Sequence, residues 1–99
     1  MQPYKAREVR KALQTKGFKE ENRDHYYYFL YYKGRKSNIY TKISLHQSEI
    51  SKALCAAMAR QIKLTSSQFH QFVDCALTGE AYVKLLLELR HISEPKDAT

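Results

Sequence analysis

The stretch His25-Tyr26-Tyr27-Tyr28-Phe29-Leu30-Tyr31-Tyr32 decides the fold, because its aromatic residues favour a β-strand. A turn signal, Asn22-Arg23-Asp24, comes directly before it, and a hairpin loop, Lys33-Gly34-Arg35-Lys36, comes directly after it. A short strand from Phe18 to Glu21 precedes the turn, and an alternating segment from Asn38 to Ser44 follows the loop. The sequence therefore predicts a three-stranded antiparallel meander.

The central strand of this meander, predicted from Tyr26 to Tyr32, turns alternate side chains to opposite faces of the sheet. If Leu30 lies opposite Ile39, then Tyr28 lies opposite Thr41, and the core face consists of Tyr26, Tyr28, Leu30, Ile39, Thr41 and Ile43. We call the other face the aromatic face, and it consists of His25, Tyr27, Phe29, Tyr31, Tyr40 and Lys42. Two alternatives remain for the aromatic face: additional helices cover it, or it is open to a binding partner.

Helical patterns lie on both sides of the meander in the sequence. The first helix is predicted from Pro3 to Lys16, and the second from Ser48 to Gln61 with Ser48 as its N-cap. A capping box, Thr65-Ser66-Ser67-Gln68, starts a third helix, and Thr78 caps a fourth. The first two helices are expected to cover the core face. The third and fourth helices carry apolar stripes of Phe69, Phe72, Val73 and Ala76, and of Tyr82, Leu85, Leu86 and Leu89.

The length of 99 residues corresponds to one domain with a single modest core. We expect an α+β fold in which residues 1–64 form a helix, meander and helix unit. Residues 65–99 are expected to add a two-helix extension, packed into the same compact domain, and a frayed tail from Glu94 to Thr99. No stretch approaches the ~20 apolar residues of a membrane span, and Met1 to Lys5 lacks the apolar region of a secretory signal. We therefore expect a cytoplasmic protein that does not enter membranes.

The sequence offers no pattern for a metal or a cofactor. Cys55 and Cys75 lack the spacing of metal ligands and lie in helical apolar patterns, which predicts reduced thiols in or near the core. There is no glycine-rich phosphate loop, no paired-carboxylate motif and no cluster of His and Cys. We expect neither a cofactor nor a metal.

Basic residues are concentrated in the N-terminal half of the chain. Residues 1–46 carry eleven Lys and Arg against four acidic residues, a formal charge of +7, whereas residues 47–99 carry six of each. An excess of this kind is typical of a surface that neutralises phosphates, which indicates a nucleic acid as the partner. The segment from Ile50 to Cys75 superficially resembles a helix-turn-helix, but its second helix, from Ser67 to Phe72, carries no Arg or Lys for a DNA backbone, so RNA is the expected partner. The candidate RNA-binding residues are Arg7, Arg10, Lys11, Arg23, Lys33, Arg35, Lys36 and Lys42, together with Tyr27 of the aromatic face.

His25 is the candidate catalytic residue. RNA carries a 2′-hydroxyl that attacks its own phosphodiester, so cleavage needs an acid or base near neutral pKa and cations to stabilise the phosphorane. The ordinary pKa of histidine, about 6.5, suits either role. Arg23 and Lys42 are candidate phosphate clamps, and Asp24 is expected to cap the turn. The other histidines are interpreted as one helix-entry residue and two surface residues: His46, His70 and His91.

The order of these elements resembles the HicA family of toxins from bacterial and archaeal toxin–antitoxin pairs, over residues Arg7 to about Leu64. The matching stretches are Val9 to Phe18, Asp24-His25-Tyr26, Ile39 to Ser44, and His46-Gln47-Ser48-Glu49-Ile50. In that family, a Gly-Ser-His or Gly-Gly-His step carries the catalytic histidine. Here Arg23-Asp24-His25 occupies the step, so His25 carries over by position while the small residues before it do not.

The resemblance implies a fold like that of the double-stranded-RNA-binding domain. It also implies the function of an RNA-cleaving toxin, a metal-independent endoribonuclease that acts on mRNA through His25 and has a HicB-like antitoxin as its partner. The residues themselves leave two alternatives open: a non-catalytic RNA-binding module, and a protein-interaction module that uses the aromatic face. The oligomeric state also stays open, because the apolar stripes of the extension require either docking on the core or a dimer contact.

Overall fold

The computed structural model describes residues 4–93 of the chain. Its elements are β1 (Tyr4–Lys5), α1 (Ala6–Thr15), β2 (Phe18–Asn22), β3 (His25–Tyr32), β4 (Arg35–Ser44), β5 (Glu49–Ile50), α2 (Lys52–Gln61), α3 (Ser66–Val73) and α4 (Gly79–Glu88). The predicted α+β class is confirmed, with a three-stranded antiparallel sheet and four helices within these residues. The predicted helical position of Pro3 and the predicted tail from Glu94 to Thr99 lie outside the described residues.

The sheet is the predicted meander, in the order β2, β3, β4. Tyr28 pairs with Thr41 as predicted, but an irregularity lies between Phe29 and Tyr31, so the expected pair of Leu30 with Ile39 does not continue the ladder. The core-face prediction holds despite this irregularity. Five of its members are buried and the sixth is half-buried: Tyr28, Leu30, Ile39, Thr41 and Ile43 are buried, and Tyr26 is half-buried.

A second, two-stranded ribbon corrects both predicted helix starts. Tyr4 of β1 pairs antiparallel with Ile50 of β5, and both side chains are buried in the core. Because Ile50 belongs to this ribbon, Ser48 is not an N-cap. The cap is Ser51, whose hydroxyl accepts a hydrogen bond from the backbone N–H of Leu54 at 3.2 Å. An apolar stripe at helical spacing does not distinguish a helical residue from a strand residue that enters the same core.

The caps of α3 and α4 are those predicted. Thr65 and Gln68 form a reciprocal capping box, and Thr78 accepts a hydrogen bond from the N–H of Ala81 at 3.1 Å. The predicted apolar stripes are correct only in part, because each helix ends before its last predicted member. Ala76 lies beyond α3 and is exposed, and Leu89 is the C-cap of α4 and is 55% exposed.

Both C-terminal helices contribute to the core that α1 and the sheet form. Phe72 of α3 contacts Phe18 of β2 edge to face, with ring centroids 6.2 Å apart. Tyr82 of α4 stacks on the same Phe18 at 5.9 Å, and its hydroxyl donates to the carbonyl of Ile62 at 2.8 Å. Phe69 and Phe72 are fully buried, as is Tyr82. The extension therefore packs on the same core as the meander.

The two cysteines are both free thiols, but they differ in burial. Cys55 is a buried free thiol as predicted, whereas Cys75 is an exposed free thiol in the left-handed region, with a φ of 68°, so its prediction as a near-core residue is wrong. Cys75 follows the end of α3, where the chain turns away from the core.

Within residues 4–93, no helix is long and apolar enough to cross a membrane.

Candidate nucleic-acid interface

The aromatic face lies on the side of the sheet opposite the core face, and it stays open in the described part of the chain. Tyr27, Phe29 and Tyr31 are half-buried rather than buried, and Tyr40 is 45% exposed. The buried side chains of the helices instead form one cluster with the core face. The alternative in which extra helices cover the aromatic face is therefore wrong for residues 4–93.

The rings of the aromatic face contact one another across β3 and β4. Phe29 and Tyr40, which are register partners, stack with ring centroids 5.0 Å apart and planes 20° apart. Tyr27 lies 6.4 Å from Phe29 and 6.3 Å from Tyr40. The His25 ring meets Tyr27 edge to face at 6.2 Å. The rings thus form a continuous surface that ends at the imidazole.

His25 begins β3 and pairs with Ser44 of β4. Its Nδ1 lies 3.4 Å from the carboxylate of Asp24, and this nitrogen is buried without a hydrogen bond to any described residue. The side chain is 36% exposed, and since Nδ1 is buried, the exposed part of the ring lies away from Asp24. A ring held in this way presents its other atoms to the aromatic face and to solvent.

Asp24 lies against the imidazole instead of serving only as a turn residue. Its second carboxylate oxygen accepts a hydrogen bond from the Tyr27 hydroxyl at 3.2 Å. Desolvation by itself raises the pKa of the Asp24 carboxyl, but the contacts with His25 and with the Tyr27 hydroxyl outweigh it, so the pKa lies below its ordinary value. The turn is closed by the backbone N–H of Arg23, which donates to the carbonyl of His25 at 3.0 Å.

Glu21 is a second acidic residue beside the aromatic face, and it was not among the predicted site residues. It pairs with Tyr27 in the sheet, and its carboxylate binds both the guanidinium of Arg23 and, at 2.7 Å, the ammonium of Lys36. The hydrogen bond from Lys36 is the main cause of the lowered pKa of Glu21. Period-2 alternation continued from Phe18 through β2 places Glu21 on this face, so the sequence held a signal that identifies it.

The structure brings together only part of the predicted RNA-binding set. Five of its members, counting the catalytic candidate, lie on or beside the aromatic face: Arg23, His25, Tyr27, Lys36 and Lys42. Lys33 and Arg35 lie at the opposite end of β3 from His25, about 23 Å away along the strand. Arg7 and Lys11 are exposed on α1, the helix that packs against the core face.

Arg10 is engaged inside the protein. Its Nε donates to the hydroxyl of Tyr28 at 2.7 Å, its Nη2 contacts Glu20 at 3.2 Å, and its guanidinium lies 4.0 Å from the ring centroid of Tyr26. The hydrogen bond to Tyr28 is the main cause of the raised pKa of Arg10. These contacts hold α1 against the sheet, so the structure gives Arg10 a packing role that its charge alone did not indicate.

The remaining histidines are not part of the aromatic face. His46 is exposed in a turn before β5 rather than at a helix start. His70 is not a simple surface residue as predicted: its Nδ1 lies 2.6 Å from the Tyr4 hydroxyl, and its Nε2 is buried without a described partner. The same hydroxyl donates to Asp74 at 3.2 Å, and burial followed by the charge of Asp74 raises the pKa of Tyr4 to about 12.

Comparison with known proteins finds no matching family model, no matching curated protein and no matching solved structure. Residues 4–93 contain no group of three or more His, Cys, Asp or Glu side chains placed to hold a metal ion.

Proposed function

We propose that this protein is an RNA-cleaving toxin of the HicA type, a metal-independent endoribonuclease in which His25 is the catalytic residue. The observation that carries the proposal is the position of His25 at the end of an open, aromatic and cationic face, with the Asp24 carboxylate 3.4 Å from its Nδ1. The order of α1, the meander and α2, with the helices on one side of the sheet, supports a fold like that of the double-stranded-RNA-binding domain.

In the proposed reaction, Nε2 of His25 accepts the proton of a 2′-hydroxyl while the 2′-oxygen attacks the adjacent phosphorus. The bond from phosphorus to the 5′-oxygen breaks, and that oxygen takes a proton from solvent. The products are a 2′,3′-cyclic phosphate and a free 5′-hydroxyl, and the proton on His25 passes to solvent. The reaction needs no metal, because RNA supplies its own nucleophile.

Asp24 acts as a positioning residue in this scheme. Its lowered pKa keeps it ionised near neutral pH, and a negative charge beside Nδ1 favours a proton on that nitrogen. Nε2 is then the basic nitrogen, and the same charge stabilises the imidazolium that forms during the reaction. Arg23 and Lys42 supply the cations that stabilise the charge on the phosphorane.

The same proposal includes a HicB-like antitoxin as the protein partner and cytoplasmic mRNA as the substrate. A non-catalytic RNA-binding module is the second candidate. It is favoured by Arg23-Asp24, which stands where the HicA pattern has small residues. Bulky side chains at this step restrict how closely a phosphate approaches the backbone, and RNA that binds without being cut is the expected result if that restriction dominates.

The test compares cleavage of a mixed-sequence RNA by the parent protein, by His25→Ala and by His46→Ala, all in the presence of a metal chelator. We expect the parent and His46→Ala to leave 2′,3′-cyclic phosphate ends, and His25→Ala to be slower by about a hundredfold or more. His46→Ala is the matched control, because it removes an exposed imidazole from the turn after β4 that is not part of the aromatic face.

Circular dichroism of both variants checks that the fold is retained. A folded His25→Ala protein that cleaves at the parent rate contradicts the catalytic assignment. Binding of RNA by the parent without any cleavage supports the second candidate instead.

A further inference from the structure

We propose that the aromatic face binds single-stranded RNA by stacking two successive bases on Tyr40 and Tyr27, so that the phosphate following the second base reaches His25. This inference rests on the proposed function for the cleavage step, but the binding mode is tested separately from it.

Tyr40 and Tyr27 are the rings best placed to take a base. Phe29 is already in contact with Tyr40 at 5.0 Å and with the ammonium of Lys36 at 4.0 Å from its ring centroid. Tyr31 is similarly covered by the ammonium of Lys19 at 4.5 Å. Tyr40 is 45% exposed, one of the largest exposures of a large apolar residue in the described chain. Stacking on such a ring tolerates any base, because every base has a π-face.

The spacing of the face leads from Tyr40 to His25. Tyr40 and Lys42 follow one another on the same side of β4, and two residues of a strand span about 6.7 Å. Lys42 pairs with Tyr27 across the sheet, and Ser44, the next residue on this side, pairs with His25. A single strand of RNA that lies along β4 therefore meets the ring of Tyr40 first. It then meets the ammonium of Lys42 beside the ring of Tyr27, and last the imidazole of His25.

The charge of the face fits a polyanion. Lys19, Arg23, Lys36 and Lys42 surround the rings, against two carboxylates, those of Glu21 and Asp24. The guanidinium of Arg23 lies 5.3 Å from the ring centroid of Tyr27, and the Arg23 side chain is 55% exposed. When a base stacks on Tyr27, this guanidinium can therefore move from the ring to a phosphate. This excess of cations favours RNA over an apolar protein segment as the occupant.

The accessible rings of the aromatic face favour unpaired bases. In an A-form duplex, the bases are stacked on one another and hidden between the strands, so Tyr40 and Tyr27 have no free base face to contact. Single-stranded RNA presents unstacked bases together with a continuous phosphate backbone. The substrate class inferred from the structure is therefore unstructured RNA, or a single-stranded loop within a folded RNA.

The test uses a labelled single-stranded DNA oligonucleotide about ten nucleotides long, which lacks the 2′-hydroxyl and cannot be cleaved by this route. Its affinity for the full-length protein is measured by fluorescence anisotropy and compared with that of the same sequence as a duplex. We expect Tyr40→Ala to weaken single-strand binding by about tenfold and Tyr40→Phe, which keeps the ring, to bind like the parent.

Leu89→Ala is the matched control for loss of an exposed apolar side chain, and we expect parent affinity from it. Glu21→Gln provides a gain-of-binding arm, because it releases Arg23 and Lys36 from their ion pairs. We expect Glu21→Gln to raise the affinity by roughly two- to fivefold. Parent affinity in Glu21→Gln contradicts the part of the proposal that places phosphates beside these two cations, whether or not Tyr40→Ala folds.

Parent affinity in a folded Tyr40→Ala protein overturns the proposal and leaves the face for a protein partner. Equal affinity for duplex and single strand also overturns it. Binding that depends on Tyr40, together with RNA cleavage unaffected by His25→Ala, supports the binding mode while contradicting the proposed catalytic role. The two proposals can therefore fail independently.

Discussion

Glu20 links α1 to the sheet through one carboxylate oxygen. It accepts hydrogen bonds from the Tyr28 hydroxyl at 2.6 Å and from Arg10 at 3.2 Å. The hydrogen bond from Tyr28 is the main cause of a Glu20 pKa below its ordinary value of 4.5. A carboxyl with a lowered folded-state pKa stabilises the protein above the unfolded-state pKa, and this stabilisation is lost as the pH falls through the folded-state pKa.

We therefore expect the free energy of unfolding to decrease as the pH falls below about 4.5, and to decrease less steeply in Glu20→Gln. Urea denaturation at a series of pH values from about 6 to about 3 measures both slopes. Glu49→Gln is the matched control, because Glu49 is exposed on β5. Glu21 and Asp24 also have lowered pKa values, so the variant should retain part of the slope. An unchanged slope in Glu20→Gln contradicts this assignment.

For individual residues, the sequence correctly predicted the sheet face of those whose placement follows from strand alternation. His25 and Tyr27 are on the aromatic face for this reason, and the core position of Tyr28 follows from the same rule. The sequence did not predict that Arg10 binds Tyr28 or that His70 contacts Tyr4. Those pairs depend on how a helix is rotated and docked against its neighbours, and a helical pattern alone leaves that rotation undetermined.

Lys16 joins two elements that are far apart in the sequence. As the C-cap of α1 it is buried, and its ammonium donates hydrogen bonds to the carbonyl of Phe72 at the end of α3 and, at 2.8 Å, to that of Leu77. Burial lowers the pKa of Lys16. The backbone of Gly79 lies close by, since a Cβ at that position would come within 3.2 Å of Lys16.

We expect Lys16→Met to lower the free energy of unfolding by about 1–3 kcal/mol, because it keeps the aliphatic stem but removes the ammonium donor from the carbonyls of Phe72 and Leu77. The carbonyl of Phe72 then keeps only the N–H of Cys75, at 3.4 Å. Lys11→Met, an exposed change on the same helix, should alter it by less than about 0.5 kcal/mol. Thermal and urea unfolding measure both effects. Equal stabilities for the two variants would show that the Lys16 contacts make no net contribution to the free energy of unfolding.

The elements that the sequence missed are the shortest ones. Each strand of the ribbon formed by β1 and β5 has two residues, which is too short to show any periodicity. Their pairing is fixed by contacts between residues far apart in the chain, such as Tyr4 with Ile50. By contrast, the caps Thr65 and Thr78 were predicted correctly, because a cap is defined by side chains within three residues of each other.

The two faces of the three-stranded sheet differ in what they contribute: one packs in the core, and the other presents aromatic and cationic side chains. The core face belongs to one buried cluster to which all four helices contribute side chains, and two of these helices lie in the C-terminal extension. The aromatic face carries the rings and a surplus of cations. Because alternate residues of the same strand serve both faces, a shift of one residue in the register would put His25 and Tyr27 into the core. The core packing thus determines which side chains are available for binding.

The extension is part of this core, so its removal should destabilise the whole domain. A chain that ends at Leu64 loses Phe69, Phe72, Tyr82 and Leu86, each fully buried, and uncovers Phe18, which contacts two of them. Each such side chain contributes about 1.5–3 kcal/mol on burial, and domains are stable by only about 5–15 kcal/mol in total. We therefore expect the shortened chain to lose its cooperative thermal unfolding transition, as measured by circular dichroism, or to associate through the exposed surface, as measured by light scattering.

A chain that ends at Ser93 is the control, because it keeps all four helices. A monomeric chain of residues 1–64 that unfolds cooperatively with the stability of the parent would contradict the prediction. In that case, α3 and α4 would be an addition to a core that is complete without them.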